Sequence, residues 1–370
     1  MAVSALYVDR AVANMPEVGN FQRCLGLEPI VVDGADPVYR QVSGATDPIS
    51  RGKEVLFLTQ NRGAFVRDCP GTRNYACCGY RILHVGTYCT MDCAYCILQS
   101  YFHPPVLQYF INHPAMFAEL DQVFSEPRIS RIGTGEFTDS LIWQYWTNLC
   151  QKLIEVFSRQ NRAVLELKTK TVAIDGLKAL PHNSRTIMSW SVNTPRVIAT
   201  QERKTASLDA RIDAARRCQR WGYPVAFHFD PMVIYEGCET DYRQVVIRLL
   251  EKLDVDRIAW ISLGTFRFMP ALKEIIAARF PDSTIAYGEF ITGLDGKMRY
   301  YKPLRIALYR AVADAIDKLA PRVPLYFCME DEEVWKKSLG YFPEDTEEGI
   351  GRMLDRSAAE LCGLDRTWLK

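Results

Sequence analysis

The sequence contains no run of ~18 apolar residues, so no ordinary membrane-spanning helix is expected. It has no surplus of one charge. Lys and Arg number 45 and Asp and Glu 44, a net charge of +1. That balance excludes a polybasic binder whose affinity rests on excess cations, though not a local basic groove. It has no internal repeat and no low-complexity tract, which excludes solenoids and disordered tails. The opening MAVSALYVDRAVANMPE lacks the basic and apolar regions of a secretory signal, so a cytoplasmic protein is expected. What remains is an ordinary globular composition, 48% hydrophobic and 24% charged. A chain of 370 residues can bury a full core without disulfides and suggests about two domains, or one large α/β unit with additions.

Cysteine is the exception, at twelve residues. In a reducing compartment such cysteines are metal ligands, catalytic thiols or small buried apolar residues. Cys69, Cys77, Cys78, Cys89, Cys93 and Cys96 crowd one stretch; Cys24, Cys150, Cys218, Cys238, Cys328 and Cys362 are scattered singly.

Residues 1–50 carry Pro and Gly at short intervals and read as a small, loop-rich layer, followed by a candidate strand at Glu54–Thr59. From about residue 80 the pattern alternates. Strand-like runs fall at Arg81–Gly86, Ile129–Ile132, Ala163–Leu167, Thr186–Ser191, Val225–Phe229 and Arg257–Ile261. Between them Ser140–Phe157, Leu208–Trp221 and Tyr242–Leu253 show helical spacing. Six such alternations predict parallel βαβ units and an α/β fold, a partial (β/α)6 barrel of the TIM type, with its site at the carboxyl ends of the strands. Residues 1–78 are assigned to an N-terminal α/β extension, 79–290 to the barrel and 291–370 to a C-terminal extension. The last contains a long helix, Pro303–Lys318, and a short strand, Pro324–Phe327.

Directly after the first barrel strand stands Cys89-Thr-Met-Asp-Cys93-Ala-Tyr-Cys96, a CxxxCxxC motif. Three thiolates from one tight loop hold three irons of a cuboidal iron–sulfur cluster and leave the fourth open. An open iron can chelate the amino and carboxylate groups of S-adenosylmethionine, and electron transfer then releases a 5′-deoxyadenosyl radical. A structural zinc site or three buried thiols are the alternatives. Zinc commonly wants four ligands, and no second CxxC follows.

The motif, with Tyr95 just before its last cysteine, resembles the radical S-adenosylmethionine superfamily. CAYCILQSYF, LELKTK, SWSVNT, FHFDPMVIYEG followed by Tyr242, and LYVDRAVANMPE together resemble the spore photoproduct lyase family across most of residues 5–262. The resemblance implies a DNA-repair type of lyase chemistry with a 4Fe-4S cluster on Cys89, Cys93 and Cys96. It also implies S-adenosyl-L-methionine held by Tyr95, by Gly133, Gly135 and Glu136 of GTGE, and by Lys170, Ser191, Asn193, His228 and Asp230. For Glu136, a surface carboxylate on a turn is the alternative; for Lys170, a solvated lysine beside Lys168; for Ser191 and Asn193, turn chemistry before Pro195; for His228, a hydrogen-bonded core residue. An electron donor such as flavodoxin or ferredoxin, a DNA or nucleotide substrate and a monomeric state go with this reading.

Two positions depart from the family. Its hydrogen-donor cysteine would fall at Glu136–Thr138, where no cysteine stands, and the tyrosine after its last cluster cysteine is Ile97. The expectation is therefore a family member with altered substrate chemistry, with faithful spore photoproduct repair as one alternative and a non-catalytic nucleic-acid-binding redox sensor as the other. Hydrogen return then comes either from 5′-deoxyadenosine, which makes the cofactor catalytic, or from another group such as Tyr95, Tyr88 or a thiol of the Cys77–Cys78 pair. Cys69, Cys77, Cys78 and Cys328 are candidate ligands of an auxiliary iron–sulfur cluster, with buried thiols as the alternative. Gly293–Arg305 (GLDGKMRYYKPLR) interleaves cations with Tyr300 and Tyr301 and is a candidate grip on phosphates and bases.

Overall fold

The computed structural model describes residues 3–71, 75–346 and 348–369. Its strands, in chain order, are β1 (Ala5–Asp9), β2 (Pro29–Val32), β3 (Val55–Thr59), β4 (Val66–Asp68), β5 (Arg81–Leu83), β6 (Gly86–Thr87), β7 (Leu107–Phe110) and β8 (Ser130–Gly133). They continue as β9 (Ala163–Thr169), β10 (Thr186–Ser191), β11 (Val225–Met232), β12 (Ile258–Thr265), β13 (Arg267–Phe268), β14 (Phe290–Thr292), β15 (Met298–Tyr300) and β16 (Leu325–Phe327).

The main sheet has the order β16-β12-β11-β10-β9-β8-β5-β4. All neighbours are parallel except β4, which lies antiparallel on the β5 edge. Every residue of β10 and β12 is buried, as expected of parallel strands covered on both faces. Helices Leu149–Ser158, Leu208–Arg220 and Cys238–Leu250 form the crossovers. The six expected barrel strands are present. A further parallel strand, β16, comes from the C-terminal segment and pairs with β12, so residues beyond 291 build part of the barrel itself.

The sheet is curled. His228 on β11 bonds Glu166 on β9 at 2.7 Å, reaching across β10 over the concave face. The register sets Ser191, His228, Ser262 and Tyr326 side by side on that face. Two-residue alternation then adds Asp230 and Cys328 one step nearer the carboxyl rim. The lumen is accordingly polar, and the apolar core lies between sheet and helices.

The N-terminal layer is more ordered than its loop-rich reading. It is a five-stranded sheet, β2-β1-β3-β7-β6, with helices Pro16–Leu25 and Asp36–Ser43. The turn-forming residues sit at element ends: Pro16 opens a helix, Gly26 closes it, and Pro29 starts β2. The expected strand Arg81–Gly86 also divides. β5 belongs to the barrel, whereas β6 pairs with β7 in the N-terminal sheet. The three-cysteine loop therefore hangs from the N-terminal sheet and leans over the barrel, where sequence reading had it directly after the first barrel strand. The helix expected over Ser140–Phe157 is a 3-10 turn at Ile142–Tyr145 and α-helical only from Leu149; Ser140 is used as an anchor, its hydroxyl accepting the Lys168 N–H at 3.0 Å.

Gly133 ends β8 where a methyl group would lie 1.6 Å from the Tyr80 hydroxyl and 2.8 Å from the Glu166 carbonyl. Gly133→Ala should cost about 1–3 kcal/mol by overpacking. The Tyr80 hydroxyl is buried without a partner among the described residues, so Tyr80→Phe should be nearly neutral alone and should recover part of that loss in the double variant. Thermal denaturation of the three proteins measures this; a Gly133→Ala protein as stable as wild type would contradict it.

Candidate active site

Three distant elements hold the cysteine loop. Lys53, buried at the end of helix Pro48–Glu54, donates to the carbonyls of Cys89 (3.2 Å) and Met91 and pairs with Asp92 at 3.5 Å. Arg279, ending helix Ala271–Arg279, pairs with Asp92 at 3.1 Å and donates to Ser50 at 3.0 Å. Gln99 donates one amide nitrogen to the carbonyls of Cys93 and Ala94, each at 3.1 Å, and of Cys96 at 3.3 Å. Backbone bonds from Asp92 and Ala94 to Arg203 and Gln201 tie the loop to the segment after β10.

All twelve cysteines are free, and Cys89 and Cys93 are buried. Burial pushes the Cys89 thiol up to about 12 and the Cys93 thiol up as well. Ionising such thiols is costly unless a cation compensates. The Met91 N–H points at the Cys89 sulfur at 3.4 Å, a donor suited to a thiolate. Among the described residues no three His, Cys, Asp or Glu side chains converge as a single metal ion requires. A four-iron cube, whose thiolates sit on separate irons, suits a donor set of three cysteines from one loop; a lone zinc ion finds no fourth ligand among the described residues.

The GTGE segment faces this loop. The Tyr88 N–H, just before Cys89, bonds the Phe137 carbonyl at 2.8 Å. Buried Asp139 accepts the Lys170 N–H at 2.8 Å, the Leu141 N–H at 3.0 Å and the Thr169 hydroxyl at 2.9 Å, so it pins GTGEF to the end of β9. A Cβ on Gly135 would lie 2.9 Å from the Lys168 side chain, which brings that backbone against β9. Glu136 is 3.9 Å from Lys168, not Lys170. Lys168 points into the lumen. Burial opposes its charge, but Glu136, Glu166 and Asp230 outweigh it and hold its pKa above the ordinary lysine value. The Lys170 ammonium lies 5.7 Å from the centre of the Tyr95 ring.

Tyr95 is buried and donates its hydroxyl to Glu202 at 2.5 Å. Glu202 in turn pairs with Arg211 at 2.5 Å, both side chains fully buried. Burial raises the Glu202 pKa; the Arg211 charge, helped by Lys170, more than reverses this and leaves it below the usual carboxylate range. Arg211 also holds the Ser191 carbonyl at 2.8 Å, which fixes the end of β10.

Other expected cofactor contacts are occupied within the protein. Asn193 accepts from Tyr242 at 2.6 Å and donates to the Pro231 carbonyl at 2.8 Å, and it is buried. His228 bridges Ser262 and Glu166 at 2.7 Å each, as a satisfied core histidine does. Asp230 grips Arg267 with both oxygens, at 3.1 and 3.2 Å. These three side chains shape the lumen and brace its rim.

Arg267 also lies 3.4 Å from the sulfur of Cys328, at the rim end of β16. Cys69 and Cys328 lie within electrostatic reach of each other, of Glu136 and of Lys168. The Ala76 N–H bonds the Glu330 carbonyl at 3.3 Å, which brings the Cys77–Cys78 segment beside the loop after β16. The Cys78 thiol hydrogen-bonds Cys77, lowering the Cys77 pKa and raising that of Cys78.

The segment Gly293–Arg305, which runs through β15 into helix Lys302–Leu319, does not present the expected cation grip. Arg299 is buried against Asp295 at 2.8 Å, Arg305 against Glu330 at 3.2 Å, and Lys302 pairs with Glu333 at 2.7 Å. Tyr300 is buried against Phe290 with ring centroids 4.3 Å apart. Sequence reasoning missed Lys53, Asp139, Glu202, Arg211, Arg267 and Arg279. Only Asp139 carried a signal, three residues past Glu136.

The family model described as spore photoproduct lyase matches residues 75–303, more than half the chain. A spore photoproduct lyase of Clostridium acetobutylicum is 25% identical over 237 residues, covering 63% of this chain and 68% of that one. That of Bacillus subtilis is 28% identical over 252 residues, covering 65% and 74%. Among solved structures, a spore photoproduct lyase complexed with dinucleoside spore photoproduct is 21% identical with a TM-score of 0.76, covering 88% of this chain and 98% of that one. A variant with bound AdoMet and the same dinucleoside superimposes with a TM-score of 0.76 at 22% identity and the same coverage. At these identities the structural likeness establishes the shared fold. An open parallel barrel with a three-cysteine loop over its carboxyl rim defines a radical S-adenosylmethionine enzyme. This chain belongs to the spore photoproduct lyase family. No helix among the described residues is long and apolar enough to cross a membrane.

Proposed function

We propose that this enzyme abstracts hydrogen from a nucleic-acid or nucleotide-like substrate other than the spore photoproduct. When bound, a 4Fe-4S cluster and S-adenosylmethionine supply the 5′-deoxyadenosyl radical for that step. Cys89, Cys93 and Cys96 would hold the cluster. Glu136, Lys170, Ser191 and the backbone at Gly133 and Gly135 would hold the cofactor, Glu136 as the anion for its ammonium and Lys170 as the cation for its carboxylate. Tyr95, clamped by Glu202, would wall the site beneath Lys170. A flavodoxin- or ferredoxin-type protein would deliver the electron.

The observation that carries the change of substrate is the rim itself. Between Gly135 and Asp139 stand Glu136, Phe137 and Thr138, and Ile97 follows the last cysteine of the motif. No thiol or phenol of the family type stands at either position. Tyr95 and Tyr88 are poor replacements, since their hydroxyls are engaged by Glu202 and by the Ile49 carbonyl. A product radical would then take hydrogen back from 5′-deoxyadenosine or from a thiol of the Cys69, Cys77, Cys78 and Cys328 group. The likeness to structures that bind dinucleoside spore photoproduct favours the second reading, direct repair.

Reduced enzyme incubated with ultraviolet-irradiated DNA, spore-type DNA and free nucleotides tests these readings by product analysis. Stimulated 5′-deoxyadenosine release with little conversion of spore photoproduct to two thymines is expected. Many-turnover repair would establish the second reading, and stimulation by none of these substrates would remove both.

Whether the four-thiol group holds an auxiliary cluster is decided by iron counting. Replacing Cys89, Cys93 and Cys96 together with Ala should leave about half the iron, roughly four atoms, if it does. Iron at background in that triple variant would assign the group to thiol chemistry or packing.

A further inference from the structure

The rim between the cysteine loop and the GTGE segment carries an aromatic stack that the cofactor assignment leaves unused. Tyr101, last residue of the short helix Leu98–Tyr101 after Cys96, is 56% exposed. Its ring lies nearly parallel to that of Phe137, with centroids 5.9 Å apart and planes inclined by 22°. Phe102 closes the stack edge-on, 5.2 Å from Tyr101 and 6.4 Å from Phe137. His84 also supports Phe137, with ring centroids 4.8 Å apart, and both its ring nitrogens are buried without a hydrogen-bond partner among the described residues.

This stack is continuous with the site. Phe137 is the residue after Glu136, and its carbonyl is the one bonded by the N–H preceding Cys89. A cation stands near it. Arg67, on the edge strand β4, is exposed and lies within electrostatic reach of His84. Its guanidinium donates to the Ala64 carbonyl at 2.8 Å and has no carboxylate partner among the described residues. Most other arginines around the rim, Arg211, Arg267, Arg279 and Arg299, are committed to buried or half-buried acids.

We infer that Tyr101, backed by Phe137 and Phe102, is a stacking platform for a nucleobase of a single-stranded or unstacked substrate strand, with Arg67 meeting a phosphate. The inference deepens the nucleic-acid reading above and rests on it. A firmly backed ring with one open face suits any base, because every base has a π face; an unpaired cation beside it suits the backbone. The rim would thus hold a base next to the position where hydrogen is abstracted.

The test is fluorescence anisotropy of a short labelled oligothymidylate, and of the same oligomer with abasic sites, on the full-length reconstituted protein. Tyr101→Ala should weaken binding of the base-bearing oligomer roughly tenfold, while Tyr101→Phe should bind within about twofold of wild type. The abasic oligomer should bind wild type as weakly as the intact one binds Tyr101→Ala. Arg67→Ala should weaken both oligomers alike and reduce the salt slope by about 1. Equal binding of the intact oligomer by wild type and Tyr101→Ala overturns the platform while leaving the nucleic-acid reading in place. So does equal binding of intact and abasic oligomers by wild type, an arm that needs no variant to fold. A wild-type protein that binds neither oligomer removes the nucleic-acid reading, and the platform with it.

Discussion

Cys93→Ala protein, reconstituted anaerobically with iron and sulfide, should release no 5′-deoxyadenosine above a protein-free control when given dithionite and S-adenosylmethionine. The wild-type protein should show a broad visible absorption band and release it. The reason is the ligand count. The loop offers three sulfurs; its carboxylate, Asp92, is paired with Lys53 and Arg279, and the carbonyls and Gln99 around it do not bind iron as a thiolate does. Cys93 is central in the motif, and its backbone carbonyl is held by Gln99, so removing its sulfur leaves the loop folded and two ligands short of a saturated cube. Cofactor cleavage by Cys93→Ala at the wild-type rate would disprove the assignment of the three cysteines.

Arg211→Met should be among the most destabilising single changes outside the apolar core. The substitution keeps much of the side-chain volume and strands Glu202 as a buried carboxylate. Breaking a buried pair from one side typically costs about 3–5 kcal/mol. In the wild type the depressed Glu202 pKa stabilises the fold above the ordinary carboxylate value, near pH ~4.3, and this contribution is lost as pH falls through the folded-state value. In the variant, burial without Arg211 raises that pKa instead. The resulting penalty is full at neutral pH and is relieved as Glu202 takes up a proton. The gap in denaturation midpoint between the two proteins should therefore be largest near pH ~7.5 and narrow on acidification to about pH 5. A gap that widened on acidification would show that Glu202 is not the stranded group. Because Glu202 also receives the Tyr95 hydroxyl, the variant should lose cofactor affinity along with stability.

The elements most legible in the sequence were those whose surroundings are uniform. β10 and β12 are buried on both faces, so their apolar runs read as parallel strands from composition alone. Helix Leu208–Arg220 kept its spacing because it packs one face only. Elements whose neighbours come from far along the chain were misjudged. Residues 16–43 form helices and strands although their prolines and glycines suggested loops, since those residues mark ends. Arg81–Gly86 split because its two halves serve different sheets. Lys302 and Arg305, at the start of helix Lys302–Leu319, were read as free because their acids, Glu333 and Glu330, lie about 25 or more residues away.

The same division runs through the site. The sequence by itself determined the CxxxCxxC motif, the glycine segment and the family, because the three cysteines of this motif fall in one short loop and spacing is a local property. Tertiary structure alone decided which charges meet. It turned Lys168 into the lumen and Lys170 toward Tyr95, two residues apart on one strand end. It closed Asn193 and His228 into internal hydrogen bonds and brought Lys53 and Arg279 to one carboxylate, Asp92. It also stacked Tyr101 on Phe137 across 36 residues of chain. Buried polar groups must be satisfied wherever a partner lies in space, and sequence distance places no limit on where that is.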